Sequence, residues 1–342
     1  MVVFNTHAVV FWRLTLLLMI KDSLSIFECQ YGYLNLVTIP LDIPSGIEEL
    51  CLSGNSIYEV KNETVFRFQN LKKLDLSHNV LTEFPDVQAV GETLESIILS
   101  FNVITHINPA YVNALVKIKT IDMAKNNLIH GFPYVTGPAE TLDTLLLSNS
   151  DLQDMPPVNQ FKNLKVLKLQ SNYIRHIDAE SFQGLTSLKE INLAKLQISE
   201  VPDLTAAKDS LEILNLKDCP NIQRIQSGNF AQLQNVVGLN LNLMKVKLFP
   251  TLCSRDVSAL SVRAHSSDLD VCDCQNAWMK QAVENGAMIS MDDKKCGDRL
   301  WSEMSLDELL KNCTNSRNKT GTYYYIPISN IIVLTLRMTL FV

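Results

Sequence analysis

Leu71-Lys72-Lys73-Leu74-Asp75-Leu76-Ser77-His78-Asn79-Val80-Leu81 has the form LxxLxLxxNxL, and the chain repeats it, with substitutions, about every 22–25 residues. The opening copy runs from Ile47 through Leu50, Leu52 and Asn55 to Ile57. Others begin at Leu94, Ile118, Leu142, Leu164, Leu188, Leu211 and Val236, and a faint last one at Val257 carries Leu260 and Val262. In each copy the two apolar residues of the LxL core point one way off a short strand, and their neighbours point the other way. One such strand cannot bury its apolar row, so about ten units are expected to stack around a shared interior as a curved α/β solenoid. The Asn nine places into the unit has donors and an acceptor for the backbone of the turn that leaves the strand. Ser150, Leu196 and Cys219 replace it, which predicts an imperfect ladder at those turns.

The register resembles that of leucine-rich repeat proteins over residues 47–269, which implies a horseshoe with a short concave parallel β-sheet and a mostly irregular convex side. Two convex linkers largely alternate. One carries an apolar residue and proline, as in Phe84-Pro85, Phe132-Pro133 and Val201-Pro202, and is expected to cross as an extended segment. The other, as in Ile177 to Phe182 and Leu185, is expected to make a helical turn whose Phe plugs the core.

The 342 residues are 46% hydrophobic and 19% charged, which suits a folded chain. The net charge of −6 makes nucleic acid and anionic membrane poor electrostatic partners. Residues 1–27 read as a secretion signal: Arg13 precedes the short apolar run Leu14–Ile20, with a retained signal anchor as the alternative. Residues 28–46, with Cys29 and an L..IP..IP segment ending at Ile43-Pro44, resemble the last part of an extracellular leucine-rich repeat N-terminal cap, without its earlier cysteines. Cys51 sits on the first strand beside that segment, so a Cys29–Cys51 bridge is expected, with two free thiols as the alternative.

Residues 270–313 hold Cys272-Asp273-Cys274, Trp278, Cys296 and Cys313, an arrangement resembling the C-terminal cap of Toll- and Slit-type ectodomains. The resemblance implies Cys272–Cys296 and Cys274–Cys313 disulfides; as a zinc set the spacing fits no ordinary site. A polar spacer, 314–325, and an apolar tail, 326–342, follow in the order of a glycolipid-anchor signal, with Ser316, Asn318 and Thr320 as candidate attachment residues. A short membrane span, with Arg337 near its far end, and a secreted protein are the alternatives. Asn62-Glu63-Thr64 and Asn318-Lys319-Thr320 are glycosylation sequons.

The six histidines are scattered and no nucleophile, metalloprotease or phosphate-loop motif is present, so no enzyme and no cofactor is expected. Function is expected on the concave face, where Asp75, Ile98, Asp122, Leu146, Lys168, Asn192, Asn215 and Asn240 form a column from strand to strand, with Phe101, Gln170 and Lys217 beside it. Apolar Ile98 and Leu146 where solvent should be, with polar residues around them, compose a protein-binding surface. The resemblance extends to lipid-anchored adhesion proteins of the chaoptin and connectin kind and to Toll-type ectodomains. It implies a cell-surface recognition or adhesion module for a protein ligand, such as another cell-surface protein; a soluble innate-immune recognition protein acting through a partner is the alternative. Phospholipase treatment of expressing cells should release the protein if the tail directs a glycolipid anchor, and release without treatment favours the soluble reading.

Overall fold

The computed structural model describes residues 29–222 without a break and, beyond them, residues 225, 233, 235–241, 261–263, 277–284, 288–290, 295–296 and 298–309. The expected signal, Cys272, Cys274, Trp278's side chain, Cys313, the sequon at Asn318 and the apolar tail lie outside the described residues.

Eleven short parallel strands follow one another in chain order as one sheet: β1 (Glu49–Cys51), β2 (Lys73–Asp75), β3 (Ser96–Ile98), β4 (Thr120–Asp122), β5 (Thr144–Leu146), β6 (Val166–Lys168), β7 (Glu190–Asn192), β8 (Ile213–Asn215), β9 (Gly238–Asn240), β10 (Ser261–Arg263) and β11 (Met288–Ser290). The repeat sets the pairing: Leu50, Leu74, Ile97, Ile121, Leu145, Leu167, Ile191, Leu214 and Leu239 stand opposite their neighbours. Each is buried, as is the apolar residue two places on in these units, from Leu52 to Leu241. With period two, a slip of one residue would expose the whole row, so the register is strongly determined.

Two sequence expectations need correction. In β10 it is Val262, not Leu260, that pairs with Leu239, so Arg263 takes the register position opposite Asn240. Placing Leu260 there would make the unit two residues shorter than it is, and shorter than any before it. The sheet also does not stop at the tenth repeat, because Met288–Ser290 pairs with β10 and adds one more strand.

The convex linkers also differ from expectation. The proline-containing linkers are not wholly extended: they hold single 3-10 turns at Gln88–Val90, Val158–Gln160 and Thr205–Ala207. Phe182 plugs the core as expected, 1% exposed, but from hydrogen-bonded turns and not from a helix. Proline fixes φ without excluding a turn that starts just after it, which the extended reading overlooked. Helical turns occur at Asn62–Val65 and Pro109–Asn113. Phe68, Phe84, Phe161 and Phe182 fill the interior beneath the linkers.

The buried Asn ladder holds neighbouring turns together. Asn102 donates to Leu76 O at 2.9 Å and Leu99 O at 3.0 Å, and its Oδ1 accepts from Leu81 N at 3.0 Å. Asn79 and Asn126 make the same three bonds one unit to either side. At the substituted positions the donor to the preceding unit partly survives. Ser150 Oγ reaches Met123 O at 3.0 Å, Cys219 Sγ reaches Leu193 O at 3.3 Å, and Leu196 replaces the polar group with a fully buried side chain.

The residue before each ladder position takes a left-handed backbone: His78 (φ 52°), Phe101 (57°), Lys125 (56°), Asn149 (52°), Ser171 (60°), Lys195 (60°) and Asp218 (57°). For residues with a Cβ this costs about 1–2 kcal/mol each, and the ladder with its inter-unit backbone bonds maintains it. At the N-terminal edge, Tyr31 N and Tyr33 N bond Cys51 O and Ser53 O, and Cys29 and Cys51 form a disulfide, so β1 does not present a bare edge. Towards the C-terminus Met279, Trp301, Met304 and Leu309 are buried, and Cys296 is disulfide-bonded to a partner outside the described residues.

Asn102→Ala leaves two carbonyls and one N–H buried without their partner. Chemical unfolding should show a loss of about 1–3 kcal/mol, against no measurable loss for an exposed polar residue such as Asn127→Ala.

Candidate ligand-binding face

The pairing brings Cys51, Asp75, Ile98, Asp122, Leu146, Lys168, Asn192, Asn215 and Asn240 into one column down the middle of the sheet. All are half-buried, as expected of side chains on the inside of a curve. Their polar members have local roles that sequence reasoning did not anticipate. Asp75 Oδ1 accepts Ser77 N at 2.9 Å, Asp122 Oδ1 accepts Ala124 N at 2.9 Å, Asn192 Oδ1 accepts Ala194 N at 3.1 Å and Asn215 Oδ1 accepts Lys217 N at 3.0 Å. Each is an Asx turn that closes the end of its strand, which short polar side chains favour. These four bonds run along each unit.

Ile98 and Leu146 have no such role and lie between and beside the two aspartates. Lys168 bonds Glu190 at 3.0 Å, so its charge is partly offset. Gln170 is half-buried, and its Oε1 has no hydrogen-bond partner. Cys51 heads the column with its sulfur in the disulfide. That sulfur lies 3.8 Å from Asp75 Oδ2 and carries no proton to donate.

Phe101 leaves β3 at the rim of the same face, 41% exposed. His78 stacks on its ring at 4.0 Å between centroids and 17° between planes, and Lys125 Nζ lies 4.2 Å from the ring centre. These three occupy equivalent left-handed positions in consecutive units, so the repeat brings them together. Exposed Val80 and Val103 extend the patch along the rim. Sequence reading named Phe101 and missed His78 and Lys125 as its neighbours; the signal was the shared place just before the ladder Asn.

A second missed column lies on the opposite flank, one residue after each opening apolar position: Glu48, Lys72, Glu95, Lys119, Asp143, Lys165, Lys189 and Glu212. Ion pairs join Lys72–Glu48 (2.8 Å), Lys119–Glu95 (2.6 Å), Lys165–Asp143 (3.4 Å) and Lys189–Glu212 (2.9 Å). The Lys119 ammonium holds the Glu95 carboxyl below its ordinary range. Exposed pairs of this sort contribute little stability singly.

Asn62 is half-buried on the convex side, where its Oδ1 accepts Ala89 N at 2.6 Å. Burial pushes the Cys219 thiol up to about 11, so at neutral pH it is a packed hydrophobe with a weak hydrogen bond. Among the described residues no group of three or more His, Cys, Asp or Glu is placed to hold a metal ion, and no helix is long and apolar enough to cross a membrane.

Leucine-rich repeat family models match residues 70–88 and 140–198. The chain carries leucine-rich repeats. It is 29% identical to lumican of Gallus gallus over 64% of this chain and 69% of lumican. It is 31% identical to osteomodulin of Bos taurus over 46% of this chain and 37% of that protein. Against human leucine-rich repeats and immunoglobulin-like domains protein 3, identity is 27% over 45% of this chain and 16% of that much longer protein. These relatives are extracellular leucine-rich repeat proteins. Among solved structures, the octameric complex of Latrophilin 3, Unc5D and the leucine-rich repeats of FLRT2 matches at a TM-score of 0.60 and 20% identity, covering 80% of this chain and 92% of that one. The leucine-rich repeat domain of APL1B matches at a TM-score of 0.53 and 19% identity, over 74% of this chain and 70% of that one. At such identities the likeness is one of fold.

The Asp122 carboxyl is raised above its ordinary value, chiefly because burial disfavours the charge, with the nearby Asp75 acting in the same direction. A carboxyl raised on folding costs nothing below its unfolded pKa, and its ionisation weakens the fold increasingly as pH rises through the window up to the folded pKa. Asp122→Asn keeps an oxygen for Ala124 N and removes the charge. Its melting temperature should exceed that of the parent at pH 7, and the difference should close as pH falls below about 4, the ordinary aspartate range.

Proposed function

We propose that this chain is an extracellular recognition and adhesion protein, held at the cell surface or secreted, that binds a protein ligand on its concave face. The observation that carries the reading is Ile98 and Leu146, two apolar side chains half-buried in the hollow of the sheet, where four other units place an Asp or Asn that closes its own strand. An Asx residue there aids the local turn, and Ile or Leu forgoes that bond while leaving apolar surface in water. Phe101 supports the same site, because a bulky aromatic in a left-handed position gives up stability that Asn or Gly would retain. An apolar centre with Asp75, Asp122 and Lys168 around it has the composition of a protein-binding patch.

The comparisons are consistent with a binding role. The relatives are extracellular, and one structural neighbour was solved within a complex of several proteins. Anchorage by the tail remains part of the proposal, as do carbohydrate on Asn62 or Asn318 and the two cap disulfides, Cys272–Cys296 and Cys274–Cys313.

Cells displaying the full chain should adhere to unmodified cells of the same origin. Ile98→Lys with Leu146→Lys, at unchanged surface expression, should reduce adhesion at least about tenfold, the loss of roughly 1.4 kcal/mol or more expected at the centre of an interface. Unchanged adhesion would move the binding surface off the hollow of the sheet.

A further inference from the structure

The column between β2 and β5 alternates in character: Asp75, Ile98, Asp122, Leu146. Both aspartates close a strand end through Oδ1, and so do Asn192 and Asn215 at the equivalent places further along, with the same bond length to within a few tenths of an ångström. A neutral amide therefore serves the turn as well as a carboxylate does in this solenoid. The charge is a separate feature, found only in the stretch where the intervening residues are apolar. It also opposes folding at Asp122, where burial and Asp75 both raise the carboxyl. The flank lysines join the flank carboxylates, and Lys168 joins Glu190. Serines hold both aspartates in place, Ser77 Oγ bonding Asp75 Oδ1 at 2.6 Å and Ser100 bonding Asp122.

Resting on the concave-face reading above, we propose that this strip binds a segment of the partner protein in which cationic and apolar side chains recur together. Arginine or lysine meets Asp75 and Asp122, and an apolar side chain between them packs on Ile98 and reaches Phe101. Asp75 on β2 and Asp122 on β4 are two strand spacings apart, about 10 Å at about 4.8 Å each. A chain crossing them in polyproline II form advances about 3.1 Å per residue and returns to the same face every third residue, so side chains three residues apart, about 9 Å, span the two aspartates. Carboxylates half out of water and already held by hydrogen bonds lose little freedom on meeting a cation, which favours a charged partner over a neutral one.

The test titrates the purified full chain with three fluorescent synthetic peptides repeating Arg-Leu-Ser, Asn-Leu-Ser or Glu-Leu-Ser. The arginine peptide should bind at least about tenfold more tightly than the other two, and the preference should shrink as salt rises. Asp75→Asn with Asp122→Asn should fold with an undiminished melting temperature and lose that preference. Glu59→Gln with Glu83→Gln, which removes exposed acids elsewhere, should keep it. Failure of the arginine peptide to bind, equal binding of all three, or a preference that survives the double Asp→Asn change overturns the proposal. Equal weakening by the Glu59 and Glu83 variant also overturns it, by showing attraction to overall charge. Ile98→Ser with Leu146→Ser separates the two readings. If it abolishes binding while Asp→Asn leaves it intact, the hollow face is the site and the cationic partner is wrong. If no concave variant alters peptide binding, both readings fall.

Discussion

The buried side-chain amide of the repeat Asn is the interaction on which the solenoid depends. It donates to a carbonyl of its own unit and to one of the unit before, and it accepts an N–H of the unit before, so each turn is joined to its neighbour away from the sheet. Hydrophobic burial alone brings the strands together without fixing the angle between turns. The amide fixes it, because a buried backbone group left without its partner costs about 1–3 kcal/mol. The left-handed backbone just before each ladder position persists before Leu196, which has no side-chain amide, and there as elsewhere the residue's N–H bonds a carbonyl of the next unit, as Lys195 N bonds Lys217 O and Phe101 N bonds Ala124 O. Side chains that no isolated turn would choose at such a place, including Phe101 and Lys125, are thereby held at the rim of the hollow face.

That geometry separates structure from recognition by position. Positions facing inward are leucine, isoleucine and phenylalanine with almost no exposure, and they vary little along the array. The central column of the concave face carries acid, apolar, basic and amide side chains in turn while the backbone around it hardly changes. Where the column can serve the backbone, as at Asn192 and Asn215, it does so with a neutral group. Departures from that pattern at Ile98, Leu146 and the two aspartates are therefore informative.

Much of the fold was legible because its period is long and regular: the strand core residues of eight consecutive pairings from β1 to β9 are those the LxL spacing marks. Val262 was misplaced because the last unit has apolar residues at both Leu260 and Val262, and a period of two fits either register. The strand Met288–Ser290 carried no repeat signal, since pairing with β10 depends on main-chain groups and not on the motif. Of the candidate site, the identity of the column was legible and its chemistry was not. Whether Asp75 faces a ligand or closes its own turn depends on a side-chain torsion. That His78 and Lys125 flank Phe101 depends on comparing equivalent places across three units.

The alternating signs on the flank bear on how so repetitive a chain reaches one arrangement. Identical-looking turns invite an error in which a turn is looped out and the two beside it pair directly. With charges in the order Glu48, Lys72, Glu95, Lys119, Asp143 and Lys165, omission of any one turn from Lys72 to Asp143 sets carboxylate against carboxylate or ammonium against ammonium. Pairs too weak to hold the finished arc together thus discriminate against counting errors during its assembly, a parity check written in salt bridges.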